Sequence, residues 1–210
     1  GRTAGLLAAT VLTPTIAFTV ALAVYVVLGF AIYDLSVSRA ELEHLSRTDV
    51  LSGLANRRAF LAEFDRCMVE KSLMVIDIDC FKVVNDRYGH AVGDQVIVNV
   101  AGMLSTVFAG RGTCARIGGE EFAVFSQDLS FAEFAALGEI ARTRIAAMPT
   151  RVDGGTVTVT ISGGITRALP TQRFRETFSR ADKALYDAKA GGRNRIVLSY
   201  ETAPPDPVVL

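Results

Sequence analysis

A long stretch near the start of the chain, from Thr3 to Tyr33, carries no charged side chain. A helix that crosses a membrane needs roughly 20 mostly apolar residues, so the stretch is long enough even if part of it is loop. Pro14 divides it, and the part after the proline, from Ile16 onward, is rich in Ala, Val, Leu and Phe. We therefore expect residues 1–35 to form a transmembrane segment, with the membrane-spanning helix after Pro14.

Two other interpretations explain this stretch less well. A secretory signal peptide would be shorter and would end in a small-residue cleavage site. A buried helix of a soluble protein rarely extends so far without a charge. Arg2 alone precedes the stretch, whereas four arginines follow it: Arg39, Arg47, Arg57 and Arg58. The positive-inside tendency then places the C-terminal part in the cytoplasm.

A polar, helix-prone connector follows the apolar stretch at residues 36–48. Leu35, Leu42 and Leu45 could form one apolar edge of a helix there, and edges of this kind can pair two chains. So short a run does not by itself indicate a coiled coil. The chain starts with Gly1 rather than Met, which predicts a piece of a longer protein with a missing upstream sensory region.

The composition argues against two broad classes of protein. Lys and Arg together number 22 and Asp and Glu also number 22, whereas a general nucleic-acid binder carries a clear basic excess. The three cysteines are odd in number and lack the spacing of metal ligands, so we expect free, reduced thiols at Cys67, Cys80 and Cys114.

The remainder of the chain alternates helical and strand patterns. Helical periodicity is present at 56–70, 93–108, 131–148 and 173–190. Strand patterns occur at 72–79, 113–117, 121–126, 156–161 and 195–199, and the Gly118-Gly119 pair predicts a tight hairpin. This order predicts an α+β fold with a mainly antiparallel central sheet flanked by helices.

Four acids mark the ends of these predicted strands. Asp77 and Asp79 stand two apart at the end of an apolar strand, so both can lie on one face, although a solvated strand end explains the same pattern. Glu120 and Glu121 follow the predicted hairpin turn. If the hairpin lies beside the Asp77 strand, Asp77 and Glu120 face each other, and such carboxylates repel unless a cation such as Mg²⁺ or Mn²⁺ lies between them. The alternative is an ordinary turn with solvated glutamates.

Two basic or polar segments could bind a nucleotide. Lys82 follows the acidic strand end, where one cation and the backbone could hold a phosphate. Asn85 and Asp94 could read the edge of guanine, although single residues of these types also fit a turn and a helix cap. Lys189 and Arg193, beside two glycines, could grip a triphosphate or could simply complement a helix C-terminus.

Five segments occur together and in one order from Thr48 to about Val197: TDVLSGLANRRAF, DIDCFKVVNDRYGHAVGD, RIGGEEF, ISGGIT and ADKALYDAKAGGRN. In combination they resemble the GGDEF-domain diguanylate cyclases. The resemblance implies a ferredoxin-like core of the nucleotidyl-cyclase and polymerase palm type. It also implies condensation of two GTP molecules into cyclic di-GMP with release of two pyrophosphates. The catalyst would be a homodimer of GTP-loaded domains that requires Mg²⁺ or Mn²⁺, and no nucleic-acid polymer would be a partner.

The resemblance also assigns a role to each matching residue. Asp77 and Glu120 match the metal-ligating carboxylates, and the Ile78 carbonyl matches a backbone ligand. Glu120 further matches the group that accepts the ribose 3′-hydroxyl proton, and Lys82 matches a lysine that stabilises the transition state. The other matches bind substrate: Asn85 and Asp94 on guanine, His90 beside them, Gly118 and Gly119 at the turn under the nucleotide, and Lys189 and Arg193 on the β- and γ-phosphates.

One motif departs from the resemblance. Many family members carry an inhibitory product-binding R-x-x-D before the signature, but Ala109 and Gly112 stand at the matching positions, so we expect no product inhibition there. Two alternatives to an active enzyme remain: a catalytically inactive GTP- or cyclic di-GMP-related regulatory module, and a cyclase that makes a cyclic mononucleotide. The intact set of predicted catalytic residues disfavours the first, and the Asn85 and Asp94 matches disfavour the second.

Together, these expectations divide the chain into four parts: a transmembrane segment (1–35), a linker helix (36–48), a GGDEF diguanylate cyclase domain (49–201) and a tail (202–210). The predicted location is the inner membrane of a bacterial-type cell, with membrane attachment through the N-terminal helix and the catalytic domain in the cytoplasm.

Overall fold

The structure is a computed structural model that describes residues 13–45 and 47–199. Contacts divide the chain into two compact units, Gly1–Ser46 and Arg47–Leu210. In the first unit, helix α1 (Thr13–Leu45) is 33 residues long. Pro14 lies in its first turn, where the missing backbone N–H of proline has no helical partner to lose.

Helix α1 does not stop where the apolar run ends. It continues through the polar residues of the predicted connector, so two segments that were expected separately form one helix. Within the described residues, no helix reaches the combination of length and apolarity that a membrane crossing requires. The predicted transmembrane helix is therefore not supported.

The second unit is built on a mixed sheet, which comprises six strands within residues 47–199. They are β1 (Ala55–Asn56), β2 (Lys71–Ile78), β3 (Thr113–Arg116), β4 (Glu121–Ser126), β7 (Ile161–Ala168) and β8 (Ile196–Ser199). Their spatial order is β1-β3-β4-β2-β7-β8. The three inner pairings are antiparallel, and the two outer ones, β1 with β3 and β7 with β8, are parallel. A separate small hairpin pairs β5 (Thr150–Val152) with β6 (Gly155–Val157).

Helices cover both faces of this sheet. They are α2 (Arg57–Arg66), α3 (Phe81–Tyr88), α4 (His90–Val107), α5 (Phe131–Ala146) and α6 (Phe174–Ala190). Side chains of β2 alternate between two cores: Met74 and Ile76 pack into one, whereas Leu73 and Val75 pack into the other. Because both faces of β2 are covered, its whole length is buried. Asp77 is the next residue on the face of β2 that carries Leu73 and Val75, and it is therefore buried as well.

Local signals in the sequence account for where several helices begin and end. Asn56 caps α2, because its side chain accepts a hydrogen bond from the Ala59 N–H over 2.9 Å. Ser130 and Glu133 form a reciprocal capping box at the start of α5. Helix α6 ends at Gly191 and Gly192, as the sequence predicted.

Two parts of the secondary-structure prediction were wrong. Residues 81–88, for which no helix was predicted, form helix α3. The strand expected at 156–161 is instead divided between β6 and the start of β7, which belong to different sheets. The predicted mainly antiparallel sheet is confirmed for the three inner pairings, and the two outer pairings are parallel.

The central strand β7 was missed because it contains the pair Gly163-Gly164, which resembles a turn. Here the glycines serve close packing. A Cβ added at Gly164 would overlap the backbone carbonyl of Ala181 and the backbone nitrogen of Leu185, both on α6. Helix α6 therefore lies directly on the backbone of β7, which brings the C-terminal end of α6 to the edge of the sheet where β2 ends.

Candidate active site

Asp77 and Glu120 come together where β2 ends and β4 begins. Asp77 is only 6% exposed, and its partner in the register of β4 is Glu121. The backbone N–H of Ile78 donates to the Glu120 carbonyl oxygen over 3.3 Å. The structure therefore places residues 77 and 120 at neighbouring strand ends, as the sequence predicted.

The two carboxylates also influence each other electrostatically. Burial raises the pKa of Asp77, and the nearby carboxylate of Asp79 adds to the effect. Burial raises the pKa of Glu120 as well, and the neighbouring charges of Asp77 and Glu121 act in the same direction. Both carboxylates are thus held in a place that disfavours negative charge, and a cation brought there would be stabilised.

Lys189 supplies one such cation from the last turn of α6. Its Nζ lies 2.8 Å from Oδ2 of Asp77, and the two side chains are 35% and 8% exposed. The Lys189 charge opposes the rise in pKa at both Asp77 and Glu120. The ammonium group therefore contacts one acid directly and lies within electrostatic reach of the other.

Arg193 approaches Asp77 through an unusual backbone turn after α6. Gly192, Arg193 and Asn194 all have positive φ, at 112°, 62° and 46°, and left-handed backbone is uncommon for residues other than glycine. The Arg193 charge lowers the pKa of Asp77, although more weakly than Lys189 does. The predicted phosphate-gripping pair, Lys189 and Arg193, is thus assembled beside Asp77.

Asp79 holds this turn in place rather than joining the acidic pair. Its Oδ2 accepts hydrogen bonds from the Thr160 hydroxyl over 2.6 Å and from the Asn194 backbone N–H over 3.0 Å. Its Oδ1 accepts from the Ser162 hydroxyl over 2.7 Å. Asp79 itself is 7% exposed. Its oxygens are occupied, so it fixes β2, β7 and the turn after α6 relative to one another.

The hairpin that carries Glu120 is anchored from outside by Arg116. The Arg116 guanidinium donates to the Gly119 carbonyl oxygen over 2.7 and 3.2 Å and lies 3.2 Å from Oδ1 of Asp49. Although burial raises the pKa of Asp49, hydrogen bonds from Ser52 and Arg116 together lower it. Asp49, from the first of the five segments, therefore holds the arginine that binds the turn before Glu120.

The two glycines of the hairpin differ in their surroundings. A Cβ at Gly118 would overlap Oε2 of Glu121, so this glycine makes room for the Glu121 side chain. At Gly119, no atom lies within 4 Å of the position that a Cβ would take. Space above Gly119 is therefore open, as expected for the surface against which a nucleotide would lie.

The other predicted substrate residues lie on α3 and α4. Lys82 is exposed in the first turn of α3, and His90 and Asp94 are exposed in the first turns of α4. Among the described residues, no hydrogen bond or ion pair joins these three side chains to Asp77 or Glu120. The structure thus leaves them open to solvent, and their assignment as substrate contacts stays a prediction.

Asn85, also on α3, has an unsatisfied polar atom. Within the described part of the chain, its Oδ1 is the only buried side-chain nitrogen or oxygen without a hydrogen-bond partner. An unpaired buried acceptor costs about 1–3 kcal/mol, so such groups are rare and require a reason. Within the described part of the chain, this amide is therefore the buried polar group whose packing most requires an explanation.

A divalent cation fits the donor set at the strand ends. Asp77 and Glu120 offer hard carboxylate oxygens whose mutual repulsion a cation would relieve, and the Ile78 carbonyl follows directly in the chain. Within residues 13–45 and 47–199, no cluster of three or more His, Cys, Asp or Glu side chains is arranged for a metal. Mg²⁺ commonly keeps several waters and binds through one or two carboxylates plus substrate phosphates, and Asp77 and Glu120 supply two such carboxylates.

Several residues of the site were missed from the sequence. The structural role of Asp79 was hidden, because a D-x-D pair at a strand end does not show which acid will find donors. Arg116 carried no signal other than its place before the glycines. Gly93, discussed below, stood within a recognised segment but was not singled out.

Comparisons with known proteins agree with this geometry. A profile described as "Diguanylate cyclase, GGDEF domain" matches residues 46–195. Diguanylate cyclase A of Treponema denticola is 33% identical over 181 residues, which cover 81% of this chain and 49% of that protein. Diguanylate cyclase DgcZ of Escherichia coli is 34% identical over 161 residues, or 74% of this chain and 54% of that protein. The chain thus spans about half the length of these two relatives.

Solved structures show the same fold. The GGDEF domain of DgcB from Caulobacter crescentus, in complex with c-di-GMP, superposes with a TM-score of 0.69 at 36% identity, covering 72% of this chain and 92% of that one. The active GGEEF domain of a diguanylate cyclase from Vibrio cholerae gives 0.64 at 30% identity, covering 71% and 99%. From the profile match, the two relatives and the shared architecture, it follows that the chain belongs to the GGDEF-domain family of diguanylate cyclases.

Proposed function

We propose that the chain is a diguanylate cyclase that joins two GTP molecules into cyclic di-GMP and releases two pyrophosphates. The observation that carries the proposal is the pair of buried Asp77 and half-buried Glu120, with Lys189 Nζ 2.8 Å from Oδ2 of Asp77. The names of the relatives support it, since several are diguanylate cyclases.

The acidic pair would hold the metal on which the reaction depends. Asp77 and Glu120 provide carboxylates, and Ile78 provides a backbone carbonyl. Bound there, Mg²⁺ or Mn²⁺ would neutralise charge on the triphosphate and favour ionisation of the attacking hydroxyl.

The protein's own side chains would bind and align the nucleotide. Lys189 and Arg193 are placed beside Asp77, where two cations suit the β- and γ-phosphates. Lys82, exposed at the start of α3, would contact the phosphates and stabilise charge that develops on them. Asn85 and Asp94 would bind guanine, with His90 beside them, and the open space above Gly119 would receive the nucleotide.

Proton transfer would involve Glu120. Its carboxyl has a raised pKa, because burial and the charge of Asp77 disfavour its ionised form. A raised pKa brings a carboxylate closer to the range in which it accepts protons effectively. Glu120 would take the proton of the ribose 3′-hydroxyl as that oxygen bonds to the α-phosphorus of the second GTP and the bond to pyrophosphate breaks.

The reaction would require two copies of the domain. The described part of each chain offers one set of proposed metal and phosphate ligands, so one domain would hold one GTP. The 3′-hydroxyl of each GTP must reach the α-phosphorus of the other, which places two GTP-loaded domains face to face in a homodimer. The cytoplasmic, inner-membrane location stays a prediction from the sequence.

One assay tests the proposal. The purified chain is incubated with GTP and Mg²⁺, and the products are identified by mass. We expect cyclic di-GMP and pyrophosphate in a ratio of one to two, and no product when EDTA removes the metal. A sample that is dimeric and binds GTP but forms no cyclic dinucleotide would favour the alternative of an inactive regulatory module.

A further inference from the structure

Helix α4 passes unusually close to the side chain of Asn85. Gly93 is buried in the second turn of α4. A Cβ added there would overlap Oδ1 of Asn85 and would lie 3.0 Å from its Cγ and 3.2 Å from Cζ of Phe81. Only glycine therefore allows the Asn85 amide to occupy its present position between the two helices.

The contact also determines which end of the amide faces outward. Oδ1 is buried against Gly93 without a hydrogen-bond partner. A Cα–H group can donate weakly to an oxygen, whereas it would face an amide NH₂ group donor to donor. The oxygen is therefore the end that Gly93 favours inside, which leaves Nδ2, with its two donors, at the other end of the amide of this half-buried residue.

This orientation suits one class of base. An outward NH₂ group pairs with an acceptor such as the guanine O6, and the exposed carboxylate of Asp94 on α4 accepts from N–H groups. Adenine presents an amino group in place of O6, so a fixed donor would oppose another donor. An amide free to turn over would accept either base.

From this geometry we propose that Gly93 is a positioning residue for base recognition, which fixes the Asn85 amide with its donors outward and so favours guanine over adenine. The inference rests on the proposed function, because it takes the Asn85 side as the place where the base binds. Gly93 touches no substrate and acts through Asn85 alone.

The clash at Gly93 falls on the far end of one flexible side chain, and alanine favours a helix over glycine. Gly93→Ala should therefore fold, with the Asn85 amide pushed out of place. Gly102 lies in the same helix and is the matched control, because no atom lies within 4 Å of its Cβ position. Asn85→Ala and the double variant Asn85→Ala/Gly93→Ala complete the set.

Binding is measured by calorimetry on the full chain with Mg²⁺. The ligands are 3′-deoxy-GTP and 3′-deoxy-ATP, which lack the attacking hydroxyl. Gly93→Ala should weaken binding of 3′-deoxy-GTP by about tenfold, the size of one base contact, and lower the preference for guanine. In the Asn85→Ala background the same substitution should change affinity by less than about twofold, because the group it displaces is gone. Gly102→Ala should bind like the wild type.

Two results of the binding measurements overturn the inference. One is a Gly93→Ala protein that binds and discriminates like the wild type. The other is an equal loss of affinity in the Asn85→Ala background, which would mean that the substitution disturbs the helix rather than the amide.

A measurement without nucleotide separates this inference from the proposed function. The side-chain amide signals of Asn85 in a ¹H–¹⁵N spectrum, assigned by their loss in Asn85→Ala, should shift in Gly93→Ala and stay in place in Gly102→Ala. Unshifted signals overturn the inference. A wild-type protein that fails to prefer 3′-deoxy-GTP contradicts the proposed substrate instead, whatever the spectra show.

Discussion

Two acids that stand two residues apart at the end of β2 have opposite surroundings. Asp79 accepts hydrogen bonds from two hydroxyls and one backbone N–H. Asp77 has one charged partner, Lys189, and faces the repulsion of Glu120. The first region comprises Asp79 and its donors Thr160, Ser162 and Asn194, and we call it the Asp79 knot. Both carboxylate oxygens of Asp79 accept hydrogen bonds there. The second, the Asp77–Glu120–Lys189 cluster, is left with charge that the protein does not fully neutralise.

The difference shows how one strand end can serve both stability and chemistry. A saturated buried carboxylate stabilises the turn after α6, which carries Arg193 and the backbone of Asn194. An under-neutralised pair destabilises its own surroundings but is ready to receive a cation and phosphates. The knot therefore holds the cluster in the geometry that the proposed reaction needs.

The largest effect is expected from Glu120→Gln, which keeps the shape of the side chain and removes its charge. Turnover should fall by about 10²- to 10⁴-fold, the range for loss of a general base, while thermal unfolding stays at or above the wild-type temperature because a repelling charge is gone. Initial rates of cyclic di-GMP formation and a melting curve measure both. An active Glu120→Gln protein would remove the role assigned to this residue.

Stability should distinguish the two aspartates. Asp79→Ala leaves the fully buried Ser162 hydroxyl and the Asn194 N–H without their acceptor, and should reduce the free energy of unfolding by about 2–4 kcal/mol. Asp77→Ala should cost less, because Lys189 is 35% exposed and can turn to water. Urea denaturation of both variants tests this. Equal losses would contradict the contrast between knot and cluster.

Stabilisation of the protein by metal and nucleotide should depend on Asp77 in the cluster and not on Asp79 in the knot. Ligands that bind only the folded state raise its stability, by about 2.7 kcal/mol at a hundredfold excess over Kd. With Mg²⁺ and 3′-deoxy-GTP, the unfolding temperature of the wild type should rise, and the rise should be lost in Asp77→Asn. Asp79→Asn should start from a lower temperature but keep the rise. A rise that persists in Asp77→Asn would place the metal elsewhere.

The smallest effect is a dependence of stability on pH in metal-free buffer. The folded state raises the pKa of Asp77 and Glu120 above their ordinary values of 3.8 and 4.5. Between the ordinary pKa values and the raised values of the folded state, the folded state binds more protons than the unfolded state. The stability that these protonated groups contribute is therefore present at low pH and is lost as the pH rises through this range. Relative to Asp77→Asn/Glu120→Gln, the wild type should lose stability as pH increases from about 4. A difference that is flat with pH would contradict the raised pKa values.

The sequence predicted the cluster well and the knot poorly. Asp77 lies at the end of an apolar run and Glu120 follows a pair of glycines. Both are short-range patterns that predict the local structure found at these residues. The donors to Asp79 come from residues 160, 162 and 194, and no short-range pattern shows that they will meet. Strand β7 was obscured for a related reason, since Gly164 is required by the close approach of α6, a helix from a later part of the chain.

By itself, the sequence determined the family, the positions of most helices and strands, and the carboxylates that would be neighbours, because these follow from periodicity, turn residues and motif order. Only the tertiary structure decided which aspartate is saturated, how Arg116 holds the hairpin, and why Gly93 must be a glycine. Those properties depend on atoms from distant parts of the chain that come within a few ångströms of each other only after the sheet and its helices have packed.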